Sequence, residues 1–157
     1  MRMLAAIAIG FYCALMMGGQ AQSQTQVVTT ITAEQVVSVL QSAGYRATVV
    51  TQTDGPKYVK VGMSGINAFV LLGTCTNDNC ATVEFYVLWA KSPLYTLDYV
   101  NAWNYNTLFT KLSLDSDSDL KLTHGVNLDG GITLDNIKQN ALMFDATIGA
   151  LNSFTGK

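Results

Sequence analysis

Residues 66–89 read INAFVLLGTCTNDNCATVEFYVLW. Apolar, strand-like runs flank Cys75 and Cys80, and the turn residues Asn77, Asp78 and Asn79 lie between the two cysteines. Asn and Asp tolerate left-handed backbone and hydrogen-bond to their own main chain, which favours a tight turn. The stretch therefore predicts an antiparallel β-hairpin.

The predicted hairpin brings Cys75 and Cys80 opposite each other, within bonding reach. An even pair of cysteines in an oxidising compartment normally forms a disulfide. We therefore predict a structural Cys75–Cys80 bond that fixes the register of the hairpin. A redox-active pair is an alternative, although the spacing is not C-x-x-C. A zinc site is a weaker alternative, because the chain has one histidine and no second cysteine pair to complete a ligand set.

Two further strands are predicted before the hairpin, over residues 45–51 and 58–63, because apolar and polar residues alternate there. The turn sequences Asp54-Gly55-Pro56 and Ser64-Gly65 separate these strands from each other and from the hairpin. Four consecutive strands joined by tight turns imply an antiparallel meander.

Three helices are predicted around the strands. The first begins with a capping box at Thr32 and ends before Gly44. The second is capped by Thr96 and runs to about Leu108, and the third is capped by Thr133 and carries a long apolar face. Each helix therefore has an apolar side that can cover a sheet.

Two more strands, over residues 110–114 and 120–124, lie between the second and third helices. The predicted order is α-β-β-β-β-α-β-β-α. This order indicates one α+β domain over residues 32–157, with an antiparallel sheet of five to six strands and helices packed against it.

The N-terminus has the three zones of a secretory signal peptide. Arg2 supplies the positive charge, residues 4–17 are apolar, and Gly19-Gln20-Ala21 offers small residues at a cleavage site. We predict a signal peptide over residues 1–21, with an uncleaved anchor as the alternative, and a flexible tail over residues 22–31. The mature protein is then periplasmic or secreted and has no membrane segment after cleavage.

Composition excludes several classes of function. Of the 157 residues 49% are apolar and 13% are charged, which is too hydrophobic for a disordered chain. The formal net charge is −2, and a nucleic-acid binder needs a basic face to displace counterions from phosphates. The lysines are also scattered, so that no polybasic patch is present for a membrane surface. We expect no nucleic-acid partner.

The sequence offers no catalytic set. The acidic turn 115–119 (DSDSD) resembles the start of a calcium loop, but Leu120 and Val126 occupy the positions where such a loop needs Gly and Glu. His124 is the only histidine and is expected to be a hydrogen-bonded residue at a strand end. No G-x-S-x-G motif is present. We therefore predict no catalytic residue, no cofactor and no resident metal, although weak binding of a cation at residues 115–119 stays open.

Aromatic residues of the second helix and its C-terminal loop form a candidate binding surface. Trp103 lies on the apolar stripe and is expected in the core. Tyr105 and Phe109 lie off the stripe, which predicts an exposed patch or a dimer contact, and Tyr99 is included in the same candidate surface. Asn104 interrupts the apolar stripe and is expected to satisfy buried backbone groups.

Four segments of the chain resemble the YbjN family, whose members are described as bacterial sensory transduction regulators. These segments are VNAWN at 100–104, FTKLSLD at 109–115, DLKL at 119–122 and GGIT at 130–133. The resemblance extends from Thr32 to Phe154. It implies a fold like that of type III secretion chaperones, which are often dimeric, bind polypeptide segments and are not enzymes. It transfers no catalytic residues.

The resemblance and the residues together predict an exported, non-enzymatic protein of the YbjN type. We expect a peptide-binding, protein-binding or regulatory module of the cell envelope, and a homodimer stays open. The alternative is a small periplasmic enzyme, a hydrolase or a thiol redox enzyme, with a site assembled from dispersed residues.

Overall fold

The computed structural model of the chain describes residues 26–53 and 55–156. The predicted signal peptide, residues 1–21, and the first residues of the predicted tail lie outside the described residues.

Six antiparallel strands form the main sheet. In chain order they are β2 (Ala47–Val50), β3 (Tyr58–Met63), β4 (Ile66–Thr76), β5 (Asn79–Trp89), β6 (Lys111–Leu114) and β7 (Leu120–Asn127). Their spatial order is β2-β3-β4-β5-β7-β6. The first four strands form the predicted meander, and β7 enters beside β5 and leaves β6 at the edge. This architecture confirms the predicted α+β fold.

Two tight turns fix the register of the meander. Ser64 and Gly65 join β3 to β4 with φ of 45° and 79°, and Asn77 and Asp78 join β4 to β5 with φ of 48° and 64°. Two consecutive residues with positive φ are typical of two-residue hairpins, whose twist matches that of the strands. The turns pair Met63 with Ile66 and Thr76 with Asn79, which sets all the pairs beyond them.

Three helices flank the sheet: α1 (Ala33–Ser42), α2 (Leu97–Asn106) and α3 (Leu134–Asn152). Thr32, Thr96 and Thr133 cap them as predicted, and Thr32 forms a complete capping box with Gln35. Helix α2 ends earlier than predicted, because Thr107 has an extended backbone. In the described part of the chain, no helix is long and apolar enough to cross a membrane.

The core lies between the helices and one face of the sheet. Phe85 of β5 and Phe144 of α3 are fully buried, with ring centroids 5.8 Å apart. Trp103 of α2 is buried as predicted, but Leu97 and Leu108 are 70% and 79% exposed. The apolar stripe of this helix is therefore shorter than the predicted helix: Leu97 lies in the first turn and Leu108 lies beyond the helix end.

The segment before α1 departs from the prediction of a flexible tail. Val27–Val28 forms a strand, β1, that pairs with β8 (Ile132–Thr133). Ile31 is fully buried and exchanges two backbone hydrogen bonds of 2.9 Å with Cys80. The polar, aperiodic sequence gave no signal for these contacts, because they depend on residues that are distant along the chain.

Asp145 of α3 ties the helix to the sheet. Its carboxylate accepts hydrogen bonds from the Ser64 hydroxyl, at 2.6 Å, and from the Tyr45 hydroxyl, at 3.0 Å. Burial of the phenol, together with the bond to Asp145, raises the pKa of Tyr45 to about 12. Ser64, which the sequence places in a turn, therefore also forms a tertiary contact with Asp145.

Candidate binding surface

One face of the main sheet is not covered by the helices. Its residues occupy every second position of the six strands. They are 48 and 50 in β2; 58, 60 and 62 in β3; 67, 69, 71 and 73 in β4; 82, 84, 86 and 88 in β5; 111 and 113 in β6; and 121, 123, 125 and 127 in β7. None of these residues is buried in the described strands, whereas most of the alternate positions are. We call this surface the open face.

A line of side chains crosses the open face at right angles to the strands. The strand registers pair Lys60 with Phe69, Phe69 with Tyr86, Tyr86 with Thr123, and Thr123 with Lys111. Cross-strand neighbours of this kind lie close enough to interact. We call this line the lysine–aromatic row: two aromatic rings and a threonine lie between lysines that are exposed at its two ends.

The rings in the row pack on each other. Phe69 and Tyr86 are stacked, with centroids 5.3 Å apart and an interplanar angle of 27°. Tyr58 contacts Phe69 from the diagonal position at 6.0 Å. Burial raises the pKa of the Tyr86 hydroxyl, with smaller contributions from Tyr58 and Glu84. The three aromatic residues are thus half-buried although no helix covers them.

Lys121 and Glu84 complete the centre of the open face. The Lys121 ammonium lies 5.2 Å from the centroid of the Tyr86 ring and 3.7 Å from the Glu84 carboxylate. Such a lysine has both a cation–π contact and an ion pair. Glu84, the only acidic residue in strands β2 to β7, is therefore partly neutralised.

Glycines leave the main chain bare on both sides of the row. Gly62 and Gly125 lie inside strands, have no positive φ, and would have no heavy atom within 4 Å of an added Cβ. Gly125 borders a shallow trough that also includes Gly73, Thr82 and Glu84. A strand-interior glycine that its own fold does not require is typical of a place where another chain or a ligand approaches closely.

The structure separates the three residues of the predicted aromatic surface. Tyr105 and Phe109, at the C-terminal end of α2 and just beyond it, are 90% and 73% exposed. Tyr99 instead packs between Tyr95 and Phe154, with centroids 5.8 and 5.0 Å away. The six-residue separation between Tyr99 and Tyr105 places them on different sides of a helix. Tyr99 is therefore not part of one surface with the other two.

His124 supports the loop that carries Phe109. Its Nδ1 lies 2.7 Å from the Phe109 carbonyl oxygen, and its Nε2 lies 2.6 Å from Oδ1 of Asn140 in α3. Phe109 has a φ of 70°, which is unusual for a bulky residue. These contacts are consistent with the predicted hydrogen-bonded histidine. They link the exposed loop that carries Phe109 to the core.

Asn104 forms hydrogen bonds with backbone groups, as expected, but these groups belong to strand β6. Its side-chain amide donates to the Leu112 carbonyl at 3.0 Å and accepts from the Leu112 N–H at 2.9 Å. These are outward-facing groups of β6, which is an edge strand. Asn104 thus occupies an edge that could otherwise pair with another strand.

Two carboxylates of the acidic turn accept hydrogen bonds from the backbone. Oδ1 of Asp115 accepts hydrogen bonds from the backbone N–H groups of Asp117 and Asp119, both at 2.9 Å. Asp119 in turn accepts from the Lys91 N–H. Among the described residues, no group of three or more His, Cys, Asp or Glu side chains is arranged to hold a metal ion.

Cys75 and Cys80 are directly opposed in the hairpin and joined by a disulfide, with Cα atoms 3.9 Å apart. Protein recovered from an oxidising compartment is expected to show no reactive thiol at these positions when it is denatured without reductant, and two after reduction. A Cys75→Ser variant, with one free thiol, calibrates the assay. The closed loop is short, so reduction is expected to cost about 2 kcal/mol of stability. Two thiols before reduction would contradict the pairing.

Comparisons with known proteins identify a family and a solved structure with the same fold. The YbjN family model, described as "Putative bacterial sensory transduction regulator", matches residues 32–149. A solved structure, "Crystal structure of YbjN, a putative transcription regulator from E. coli", has 15% sequence identity and a TM-score of 0.59. The similarity covers 80% of this chain and 91% of that chain, and at this identity it shows a shared fold. No curated protein matches the sequence.

Proposed function

This chain belongs to the YbjN family, and from this premise we propose that it is a non-enzymatic regulatory protein that acts by binding a partner protein through the open face. The family model covers most of the predicted domain. It therefore includes the strands that form the open face.

The lysine–aromatic row is the observation that carries this proposal. Aromatic side chains on an exposed sheet face contribute little to the core, but they offer a large, rigid contact area with few side-chain torsions to fix. Phe69 and Tyr86 are already ordered by stacking on each other. Binding of a partner would therefore cost this protein less side-chain entropy here than at a flexible surface.

We further propose that the protein works in the cell envelope after export. The three zones of residues 1–21 support this compartment. The opposed Cys75 and Cys80 fit an oxidising environment, where such pairs are bonded. The binding site is then exposed to envelope proteins.

Two contacts favour binding over the hydrolase or thiol redox alternative. Both ring nitrogens of His124 are occupied by the Phe109 carbonyl and the Asn140 amide. Cys80 is bonded to Cys75. Neither residue therefore forms the nucleophile–base pair that such chemistry requires.

Site-specific photocrosslinking in the source bacterium tests the proposal. The photoreactive amino acid p-benzoylphenylalanine replaces Phe69 on the open face, Tyr105 at the end of α2, or Leu142 on the outer side of α3. All three residues are half-buried or exposed. We expect a discrete protein adduct from position 69, in the periplasmic fraction, and none from the control position 142.

The three positions separate the outcomes. An adduct from position 105 without one from position 69 would place the binding surface at the end of α2 and overturn the proposal. An adduct of twice the chain mass from position 69 would show that the partner is a second copy. Adducts confined to the cytosolic fraction would contradict the envelope compartment.

A further inference from the structure

We propose that the segment bound on the open face is an acidic stretch of polypeptide that lies across the strands along the lysine–aromatic row. This inference rests on the proposed function, because it names the chemistry of the partner. Four features of the open face carry it: its charge, the spacing of its lysines, the orientation of its rings and its bare main chain.

The charge of the open face is opposite in sign to that of the chain. Lys60, Lys111 and Lys121 lie on the face, and Arg46 borders the same depression as Lys60. Glu84 is the only acidic residue in strands β2 to β7 and is paired with Lys121. The whole chain carries a formal charge of −2. A basic face on an acidic protein attracts and orients an anionic partner.

The two end lysines set the length of the segment. Lys60 and Lys111 are separated by four strand spacings, which amounts to about 19 Å at about 4.8 Å per spacing. An extended polypeptide covers that distance with about six residues, at about 3.3 Å each. Acidic side chains about six residues apart would therefore reach both lysines.

The orientation of the rings favours a polypeptide over a nucleic acid. The centroid distance of 5.3 Å between Phe69 and Tyr86 is close to the strand spacing, so that the rings stand side by side and do not lie flat on the sheet. Phe69 covers Tyr86 from β4, and Lys121 covers it from β7, the strand on the other side of β5. Both faces of the Tyr86 ring therefore already have a neighbour, which disfavours stacking of a base. The positive ring edges point outward and favour carboxylate and carbonyl oxygens.

Gly62 and Gly125 permit the close approach that the segment needs. They lie on opposite sides of the row, in the outward positions next to Lys60 and Thr123. An added Cβ at either position would project into open space. The bare main chain lowers the surface beside the row, so a bound backbone can lie close to the sheet.

Fluorescence anisotropy with synthetic peptides tests the inference on the purified protein. The probe is a labelled peptide of about 12 residues, with two Glu-Asp pairs about six residues apart and leucine between them. A second peptide replaces the acids by Gln and Asn, and labelled oligothymidylate serves as a nucleic-acid probe. We expect that only the acidic peptide, of the three probes, binds saturably. Its affinity should fall as salt is added.

Charge-reversal variants locate the binding. Lys60→Glu with Lys111→Glu is expected to weaken acidic-peptide binding about tenfold or more, because both end contacts become repulsive. Lys91→Glu with Lys138→Glu changes the net charge equally outside the sheet and is expected to leave binding unchanged. Equal binding by the first double variant and the wild type, equal binding of the neutral peptide, or tighter binding of oligothymidylate would each overturn the inference.

The photocrosslink from position 69 distinguishes this failure from failure of the proposed function. If the adduct forms in cells but the acidic peptide does not bind, the open face binds a protein whose chemistry is different. If the adduct is also absent, the proposed function itself is wrong.

Discussion

Replacing Phe85 by alanine is expected to lower the free energy of unfolding by about 3–5 kcal/mol. Phe85 is fully buried and contacts both Phe144 of α3 and the ring of His124. The substitution leaves a cavity where the helix joins the sheet. Phe69→Ala, on the opposite face of the adjacent strand, is the matched control. It removes the contacts with Tyr58 and Tyr86 at a half-buried position and is expected to cost about 1–2 kcal/mol.

Urea denaturation followed by circular dichroism measures both variants. The two phenylalanines lie in neighbouring strands and differ chiefly in the face to which they point, so the difference in unfolding free energy measures how asymmetrically the sheet is covered. Equal losses would show that both faces are packed and that the open face is not available. Phe69→Ala is also expected to weaken partner binding, whereas a Phe85 variant that remains folded should retain it.

The two tight turns determine which residues of neighbouring strands are paired, and this pairing can be predicted from the sequence. A two-residue turn at Ser64-Gly65 pairs residue 60 with 69, and one at Asn77-Asp78 pairs 69 with 86. The alternation of the strands indicates which side chains face outward. The central part of the lysine–aromatic row could therefore have been found from the sequence by extending each register outward from its turn.

The outer part of the row could not have been found in this way. Strand β7 pairs with β5 after a connection that contains α2 and β6. No short turn fixes the register of such a crossover, which is determined by packing of the completed core. The positions of Thr123 and Lys111 relative to Tyr86 therefore required the structure.

The α2 region shows how a short helix misleads periodicity arguments. Val100 and Trp103 are the buried residues of this helix. Its end cannot be located from apolar spacing alone, because Leu108 continues the spacing after the backbone has become extended. The sequence places Tyr99 in the candidate surface, but the Phe154 ring from the C-terminal segment packs against it, and a contact at that sequence separation leaves no local signal.

His124→Leu is expected to destabilise the protein by about 2–3 kcal/mol, because it removes the ring nitrogens that contact Phe109 and Asn140 and puts an apolar side chain of similar size in their place. The Phe109 carbonyl and the Asn140 amide oxygen would each lose their contact with a ring nitrogen. The contact with the His124 ring also helps to hold Phe109 at a φ of 70°, a conformation that costs about 1–3 kcal/mol when it is not supported. The loop after α2 should therefore relax.

Thermal unfolding and limited chymotrypsin digestion measure the two effects separately. The melting temperature reports the loss of stability, and the rate of cleavage after the exposed Phe109 reports the loosening of the loop. Thr123→Ala, next to His124 but on the open face, is the control, and it is expected to change neither quantity by much. If His124→Leu melts earlier but is cleaved at the wild-type rate, the histidine stabilises the core without positioning Phe109. If neither quantity changes, the polar contacts of the His124 ring contribute nothing to the fold, and Phe109 is held by its own loop alone.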